Sequence, residues 1–284
     1  MATHMKFGLA SVNSGYNSFP DRMARLAQAA EKAGFDSIWA GGHPFLSEKQ
    51  TRMPPGLRML DPIVALTFIA AHTRTVRLGT GILLLPQFNP VIVAKQLASL
   101  DVLSQGRLTV GIGVGWSEHE YEVLGIPYHD RGTRADDYLK AMKVLWSQEK
   151  PVYHGKFVSF DGLQANPRPV QQPSPPIVIG GLSEEAYRRA VRQGNGWFGF
   201  SLDLEDTKRA LAGLRDAAAK HPRPAELGAL EISVAPKVPV DKATAQKYSE
   251  LGVHRLNLVP PQDADEKVAE RFIEAAGSTL IGQV

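Results

Sequence analysis

The length, composition and charge of the chain narrow its class before any motif is considered. With 284 residues, 43% of them hydrophobic and 21% charged, it can bury a large core and is predicted to form a single domain over residues 1–284. Its formal net charge of +3 comes from scattered lysines and arginines, so we expect no nucleic-acid partner, and the absence of cysteine excludes disulfides and thiolate chemistry.

Short apolar segments alternate with helical patterns along the chain. The predicted strands cover residues 6–12, 35–40, 76–84, 108–114, 177–179, 197–200, 230–235 and 254–259. The first helix follows Pro20 and ends near Gly34, and the next two begin at Asp61-Pro62 and Asn89-Pro90, where a capping side chain precedes proline. The remaining helical patterns cover 117–124, 133–148, 183–192, 204–219, 244–251 and 265–276.

This alternation of strands and helices predicts an α/β fold of the closed (β/α)8 type, a TIM barrel. An open, doubly wound sheet is the alternative, which would require a point where the strand order reverses. Between residues 151 and 175 the helical period disappears, and aromatic and β-branched residues alternate with glycines in PVYHGKFVSFDG before a proline-rich stretch. This segment is predicted to be an inserted hairpin or lid.

Glycines recur at alternate positions of two predicted strands. Gly111, Gly113 and Gly115 share one face of the fourth strand, and Gly79 and Gly81 share one face of the third. If these faces point into the barrel, they leave an open slot that suits a flat aromatic ring. The alternative is that small residues only accommodate the taper of the barrel.

Other candidate site residues follow the strands, because active sites of such barrels lie at the carboxyl ends of the strands. His43 follows the second strand and is a candidate catalytic imidazole, although a loop histidine without a role is the alternative. Gly180 and Gly181 precede a helix whose amino end can hold a phosphate, with Ser183 as a candidate helix cap. His119, one turn into the segment after the fourth strand, is similarly placed, with a surface residue as the alternative.

Several catalytic motifs are absent from the sequence. It contains no H-E-x-x-H, G-x-S-x-G or P-loop pattern, and its scattered carboxylates indicate no metal site, which disfavours hydrolases and phosphotransferases. The RGTRADD segment, with Arg131, Arg134, Asp136 and Asp137, is interpreted as a solvated, ion-paired helix start.

Taken together, the motifs resemble those of a known family. GFDSIWAGGH, VRLGTGILLLPQFNP, GRLTVGIGVGW, RGTRADDYLKAMKVLW and PPIVIGG occur in the order found in the luciferase-like monooxygenase superfamily, and specifically resemble its branch that depends on coenzyme F420. The resemblance extends from about Lys6 to Phe200. It implies an oxidoreductase that holds a 5-deazaflavin at the mouth of the barrel.

The resemblance also assigns expected roles to particular residues. It implies a non-proline cis peptide at Gly81-Ile82, in a bulge that supports the coenzyme ring, and places His43 near the reacting ring carbon. The expected coenzyme contacts are Gly81, Ile82, Val114, Gly115, His119, Gly180 and Gly181, the last two at the phosphate.

The sequence departs from some members of that branch. Certain deazaflavin sugar-phosphate dehydrogenases have acidic residues where this chain has Gly42 and Trp116. The departure favours an apolar substrate, in a pocket whose expected walls are Trp39, Phe45, Trp116 and Phe198. An FMN-dependent monooxygenase and a non-catalytic coenzyme-binding protein are the alternatives to an F420-dependent hydride-transfer enzyme.

We expect the chain to be a cytoplasmic homodimer that acts on a small molecule. No apolar stretch approaches the roughly 18 residues of a membrane span, and the amino terminus lacks the pattern of a signal peptide. Members of the resembled superfamily pair through the helices after the second and third strands. Apolar residues there are predicted to be too numerous for the core alone, namely Ile63, Leu66, Phe68, Ile69, Val93, Leu97 and Leu100.

Overall fold

A computed structural model describes residues 4–50, 52–262 and 265–284. Met1, Ala2 and Thr3 lie outside this part, and we assign no function to Met1–His4. Within the described residues, the barrel strands are β1 (Lys6–Ala10), β2 (Ser37–Ala40), β3 (Arg77–Thr80), β4 (Leu83–Leu84), β5 (Leu108–Gly113), β8 (Ile177–Gly180), β9 (Gly196–Leu202), β10 (Glu231–Pro236) and β11 (Arg255–Leu258), with β6 (Tyr153–His154) and β7 (Ser159–Phe160) outside it.

The strands close into a parallel barrel. Neighbours follow the order β3-β2-β1-β11-β10-β9-β8-β5, and β3 also pairs with β5, with Leu78 beside Leu108, so the described sheet closes on itself. The predicted TIM barrel is therefore confirmed, and the open sheet is excluded.

The third barrel strand is interrupted where the sequence predicted one continuous strand. β3 ends at Thr80 and β4 begins at Leu83, which lies beside Ile112 of β5. Gly81 and Ile82 lie in the gap, where the Gly81 amide still donates a hydrogen bond of 2.8 Å to the Ala40 carbonyl of β2. The regular pairing of the third barrel strand is therefore interrupted at these two residues.

Helices connect the strands. They are α1 (Pro20–Lys32), α2 (Pro62–His72), α3 (Pro90–Leu103), α4 (Glu118–Val123), α5 (Arg131–Ser147), α6 (Glu184–Gln193), α7 (Leu204–Lys220), α8 (Lys242–Glu250) and α9 (Glu266–Thr279). The predicted caps are present, since the Asp61 carboxylate accepts hydrogen bonds from two backbone amides of α2 and the Asn89 side chain does the same for α3. Among the described residues, no helix is long and apolar enough to cross a membrane.

The inserted segment contains the predicted hairpin, in which β6 and β7 pair antiparallel. It is fastened to α5 by Asp137, whose carboxylate accepts hydrogen bonds from the Tyr153 hydroxyl at 2.7 Å and the Phe157 backbone amide at 2.8 Å. Asp137 is buried, so the interpretation of this helix start as solvated is wrong at that position. The carboxylate is tolerated there because the hairpin satisfies its oxygens.

The prediction that the apolar residues of α2 and α3 are too numerous for the core is wrong, while the homodimer itself stays a prediction. Ile63, Leu66, Ile69, Val93, Leu97 and Leu100 are all buried within the single chain, and Phe68 packs partly against the same core. The barrel wall and the neighbouring helices cover them. Among the apolar residues of α2 and α3 that face solvent, Val64, Ile92 and Leu103 are each more than half exposed.

Candidate functional site

His43 lies at the mouth of the barrel, just after β2. Its side chain is 12% exposed, and its Nδ1 lies 2.6 Å from Oε1 of Glu120, which is only 1% exposed. The other carboxylate oxygen of Glu120 accepts a hydrogen bond of 2.7 Å from Nε2 of Gln87. On its other side, the imidazole packs edge-on against Trp116, with ring centroids 5.4 Å apart. The ring is thus held by a carboxylate and an indole.

The backbone before His43 is packed against the interrupted third strand. A Cβ added at Gly41 would overlap the carbonyl oxygen of Gly81 and lie 2.8 Å from the backbone nitrogen of Ile82, so only glycine fits. The buried side chain of Asn13 donates hydrogen bonds of 2.7 Å to the carbonyls of Gly41 and Leu60 and ties both ends of the β2–α2 connection to β1. The Gly81–Ile82 peptide bond is cis, which confirms the expectation from the resemblance.

The glycines within the third and fourth barrel strands do point inward, but at Gly79, Gly111 and Gly113 they leave no open slot. A Cβ at Gly79 would overlap the Trp39 ring, with Cζ3 2.6 Å away, and a Cβ at Gly113 would overlap the Ile82 side chain. At Gly111 the backbone of β3 occupies the same space. The expected slot is therefore wrong, because bulky side chains and backbone from neighbouring strands fill the room that the glycines leave.

Trp39 and Phe198 are part of this filling and not walls of a pocket. They are 1% and 2% exposed, and their rings stack with centroids 5.8 Å apart at an angle of 10°. Ile82 packs on this pair and is itself partly exposed. Ile82, Trp39 and Phe198 form an apolar layer below the mouth, which we call the floor.

The long β2–α2 connection folds back over the rim. The Phe45 ring lies edge-on to His119, with centroids 5.9 Å apart, and Nδ1 of His119 lies 2.7 Å from the Ser47 hydroxyl. Further along, the guanidinium of Arg52 lies 4.6 Å from the centre of the Trp116 ring. The connection therefore contacts both His119 and Trp116, the first through Phe45 and Ser47 and the second through Arg52.

Two tyrosines hold the turn between β5 and α4. The Tyr121 hydroxyl donates to the carbonyl of Val114, and the Tyr128 hydroxyl donates to the carbonyl of Trp116 at 3.2 Å. Between them, Gly115 has a φ of 71°, which disfavours any side chain. Burial raises the pKa of Tyr121, so its hydroxyl stays a donor throughout the physiological range.

Gly180 and Gly181 join β8 to α6. Nε1 of Trp197 donates to the Gly181 carbonyl at 2.9 Å, and the Ser183 hydroxyl accepts from the Ala186 amide at 3.2 Å, so Ser183 caps the helix. Gly181 has a φ of 125°, and an added Cβ would lie 2.9 Å from that of Ala186. Residues 181–185 are exposed, and the positive end of a helix suits an anion, which here would have to tolerate Glu184 and Glu185 in the first turn.

A cavity of about 340 Å³ opens beside the imidazole. It is lined by Gly42, His43, Met59, Leu84, Gln87 and Phe88, among others. Its lining is apolar except for the edge formed by His43, Gln87 and Asp61. Considering only residues 4–50, 52–262 and 265–284, no group of three or more His, Asp or Glu side chains could hold a metal ion.

Sequence reasoning missed Glu120, Gln87 and Asn13. Glu120 lies between the exposed Glu118 and Glu122, so the local sequence does not indicate that its side chain is buried. It is also 77 residues from His43 along the chain, and only the closed barrel brings the two together. The one available signal was position, because the segment 117–124 follows a strand at the mouth of the predicted barrel.

The family profile of luciferase-like monooxygenases matches residues 5–277. An uncharacterised protein of Mycobacterium tuberculosis is 32% identical over 291 residues, which covers 97% of this chain and 99% of the relative. The FMNH2-dependent dimethylsulfone monooxygenase of Pseudomonas putida is 29% identical over 214 residues, which covers 73% of this chain and 56% of that protein.

Among solved structures, the chain is similar to an F420-dependent secondary alcohol dehydrogenase in complex with an F420-acetone adduct. The TM-score is 0.79 and the identity 17%, with 99% of each chain covered, a likeness that shows the shared fold. With nearly all of its length matched by the family profile and by a relative of equal extent, the chain belongs to the luciferase-like monooxygenase family of oxidoreductases.

Proposed function

We propose that the protein transfers a hydride between the 5-deazaflavin coenzyme F420 and a small, apolar organic substrate. The observation that carries the proposal is the His43 imidazole at the barrel mouth, held through Nδ1 by the buried Glu120. Within the described chain, Nε2 of the ring has no hydrogen-bonding partner, and the ring borders a cavity. An imidazole in this position can carry the proton that accompanies hydride transfer.

The residues around the mouth fit a planar ring with a phosphate-bearing tail. The partly exposed Ile82 gives the ring an apolar surface above Trp39 and Phe198. The exposed backbone at Gly181 and the start of α6 offers amides and the positive end of a helix to a phosphate. The apolar surface at Ile82 suits the ring of such a coenzyme, and the helix start at Gly181 suits its phosphate.

The bound coenzyme would supply the hydride chemistry, and the chain would position it and move the proton. In this proposal Gly180 and Gly181 hold the phosphate, Gly81 and Ile82 support the ring, and Val114, Gly115 and His119 lie along it. His43 donates or accepts a proton at Nε2. Because Phe45 and Trp116 border the rim, the substrate side of the site is apolar and excludes water from the ring.

An FMN-dependent monooxygenase is the second candidate. The P. putida relative carries the name of an FMNH2-dependent enzyme and is similar over 73% of this chain. The features that suit a deazaflavin, namely the apolar floor and the exposed helix start, suit FMN equally. The choice of F420 rests on the resemblance of the strand and loop motifs to the F420-dependent branch.

The test is a titration of the protein with F420 and with FMN, followed through the absorbance of the ring. We expect tighter binding of F420 and, in a substrate screen, coenzyme reduction or oxidation that does not consume oxygen. Tighter binding of FMN with oxygen uptake would instead support the monooxygenase. Tight binding with no substrate-dependent reaction would support a non-catalytic binding protein.

The role of His43 has its own test. The variant His43→Asn is expected to lower the rate of hydride transfer by about 10²–10⁴-fold, the range for a lost general acid or base. Coenzyme affinity is expected to stay within about twofold. His129→Asn is the matched control, since His129 is exposed. Equal rates for the two variants would remove His43 from the proposal.

A further inference from the structure

The burial of Glu120 needs an explanation that the fold alone does not provide. Placing a carboxylate in a site that is 1% exposed costs free energy unless its oxygens are satisfied. In the described part of the chain its side-chain partners are Nδ1 of His43 and Nε2 of Gln87, and no lysine or arginine pairs with it. The carboxylate is therefore committed to the imidazole and to one amide.

The three residues come from three successive connections at the mouth. His43 follows β2, Gln87 lies in the short turn between β4 and α3, and Glu120 is in α4 after β5. Gln87 donates to one oxygen of the carboxylate, which orients the other toward the imidazole. The hydrogen bond from Gln87 thus holds the Glu120 carboxylate in the orientation in which it contacts the imidazole.

The contact also determines where His43 carries its proton. An ionised carboxylate only accepts hydrogen bonds, so Nδ1 must donate, and the proton of the neutral ring resides on Nδ1. Nε2 is then left with a lone pair on the side away from Glu120. Trp116, packed edge-on against the same ring, restrains its rotation.

We propose that Glu120 is a positioning residue that sets the tautomer and orientation of His43, with Gln87 holding the carboxylate in place. The inference rests on the proposed function, in which Nε2 of His43 carries the proton. Glu120 touches neither coenzyme nor substrate in this scheme. It acts through the imidazole, as second partners of catalytic and metal-binding histidines do elsewhere.

The first experiment is nuclear magnetic resonance of the full chain labelled with ¹⁵N-histidine, which distinguishes the two tautomers by their ring nitrogen shifts. The His43 signals are identified by their loss in His43→Asn. We expect the Nδ1-protonated form in the unaltered protein. A ring protonated only at Nε2 would overturn the proposal without any variant of Glu120.

The second experiment compares Glu120→Gln with Glu118→Gln. Both change one glutamate of α4, but Glu118 is exposed. For Glu120→Gln we expect the His43 signals to move toward the other tautomer and kcat to fall by about tenfold or more, with the Kd for F420 within about twofold. The control is expected to match the unaltered protein in all three.

The outcomes separate this inference from the proposed function. If the unaltered protein turns over and Glu120→Gln equals the control in tautomer and kcat, the positioning role is wrong and the function stands. If no coenzyme is turned over, the function fails while the tautomer still tests the contact. Should Glu120→Gln not fold, Gln87→Met removes the support of the carboxylate and is expected to shift the same signals, and unchanged signals there would count against the inference.

Discussion

The close packing of Gly41 against the third barrel strand allows a sharp test of how the site is assembled. In Gly41→Ala the new Cβ would overlap the Gly81 carbonyl oxygen, and would lie 2.6 Å from the carbonyl carbon and 2.8 Å from the nitrogen of Ile82. Ordinary Cβ contacts begin at about 3.4 Å, so these backbones must separate by more than half an ångström. Overpacking of this kind costs about 1–3 kcal/mol.

Gly42 provides the matched control, because it is the next residue in the same connection. Its added Cβ would meet the Met59 sulfur at 3.4 Å and the Pro62 Cδ at 3.5 Å, both ordinary contacts. We expect Gly41→Ala to lower the thermal midpoint by about 2–12 °C, using roughly 2–4 °C per kcal/mol for a domain of this size, and Gly42→Ala to change it little.

The same comparison tests the site, since Gly41 lies between the floor and His43. Separation of the two backbones is expected to weaken coenzyme binding by at least about tenfold, which corresponds to about 1.4 kcal/mol. Differential scanning calorimetry and ring-absorbance titration measure the two effects. Equal midpoints and equal affinities for the two variants would refute the reasoning that this contact sets the position of the mouth.

Three further predictions concern the anion site, one hydrogen-bonded carboxylate and the oligomer. Leu182 is exposed beside Gly181, so Leu182→Asp is expected to repel the phosphate and to weaken F420 binding at least about fivefold relative to Leu182→Asn. Equal affinities of the two variants in titration would place the phosphate elsewhere. Burial opposes ionisation of Glu31, but hydrogen bonds from the backbone of residues 74–76 outweigh it and lower its pKa from 4.5 to about 2. A lowered pKa means that the ionised carboxylate stabilises the fold above pH 4.5, and that this stabilisation is lost as the pH falls toward 2. Glu31→Gln should therefore lower the free energy of unfolding by about 1–2 kcal/mol at pH 7, allowing for solvent screening. In urea denaturation near pH 2 the two proteins should be equally stable. We propose a homodimer that forms through the exposed Ile92 and Leu103 of α3. The double variant Ile92→Lys, Leu103→Lys is then expected to sediment as a monomer. An unaltered protein that is already monomeric at micromolar concentration would contradict the proposal.

The barrel could be predicted from the sequence because each of its strands and helices is marked by a local sequence pattern. Proline after Asp61 and after Asn89 marks two helix starts, and both side chains cap as expected. The apolar strands recur at similar spacing, which favours a closed sheet over an open one. The hairpin after residue 151 was predictable for the same reason, since its pattern changes from a helical to an alternating period.

The open slot could not be judged from the sequence because it depends on register between strands. Trp39 of β2 lies directly beside Gly79 of β3, so the indole fills the space that the glycine leaves. Similarly, Ile82 reaches across to Gly113 of β5. A pattern read along one strand shows where side chains are missing, but not which neighbour supplies them.

The register also changes what limits the depth of the site. Because Trp39 and Phe198 stack inside the barrel and are almost fully buried, a ligand cannot enter below them. Ile82 is the member of the floor that reaches the surface, and its position follows from the gap between β3 and β4. The glycines thus act on the site indirectly, by admitting the large side chains that form the floor. Ile82 is therefore the member of the floor that a ligand entering the mouth could contact.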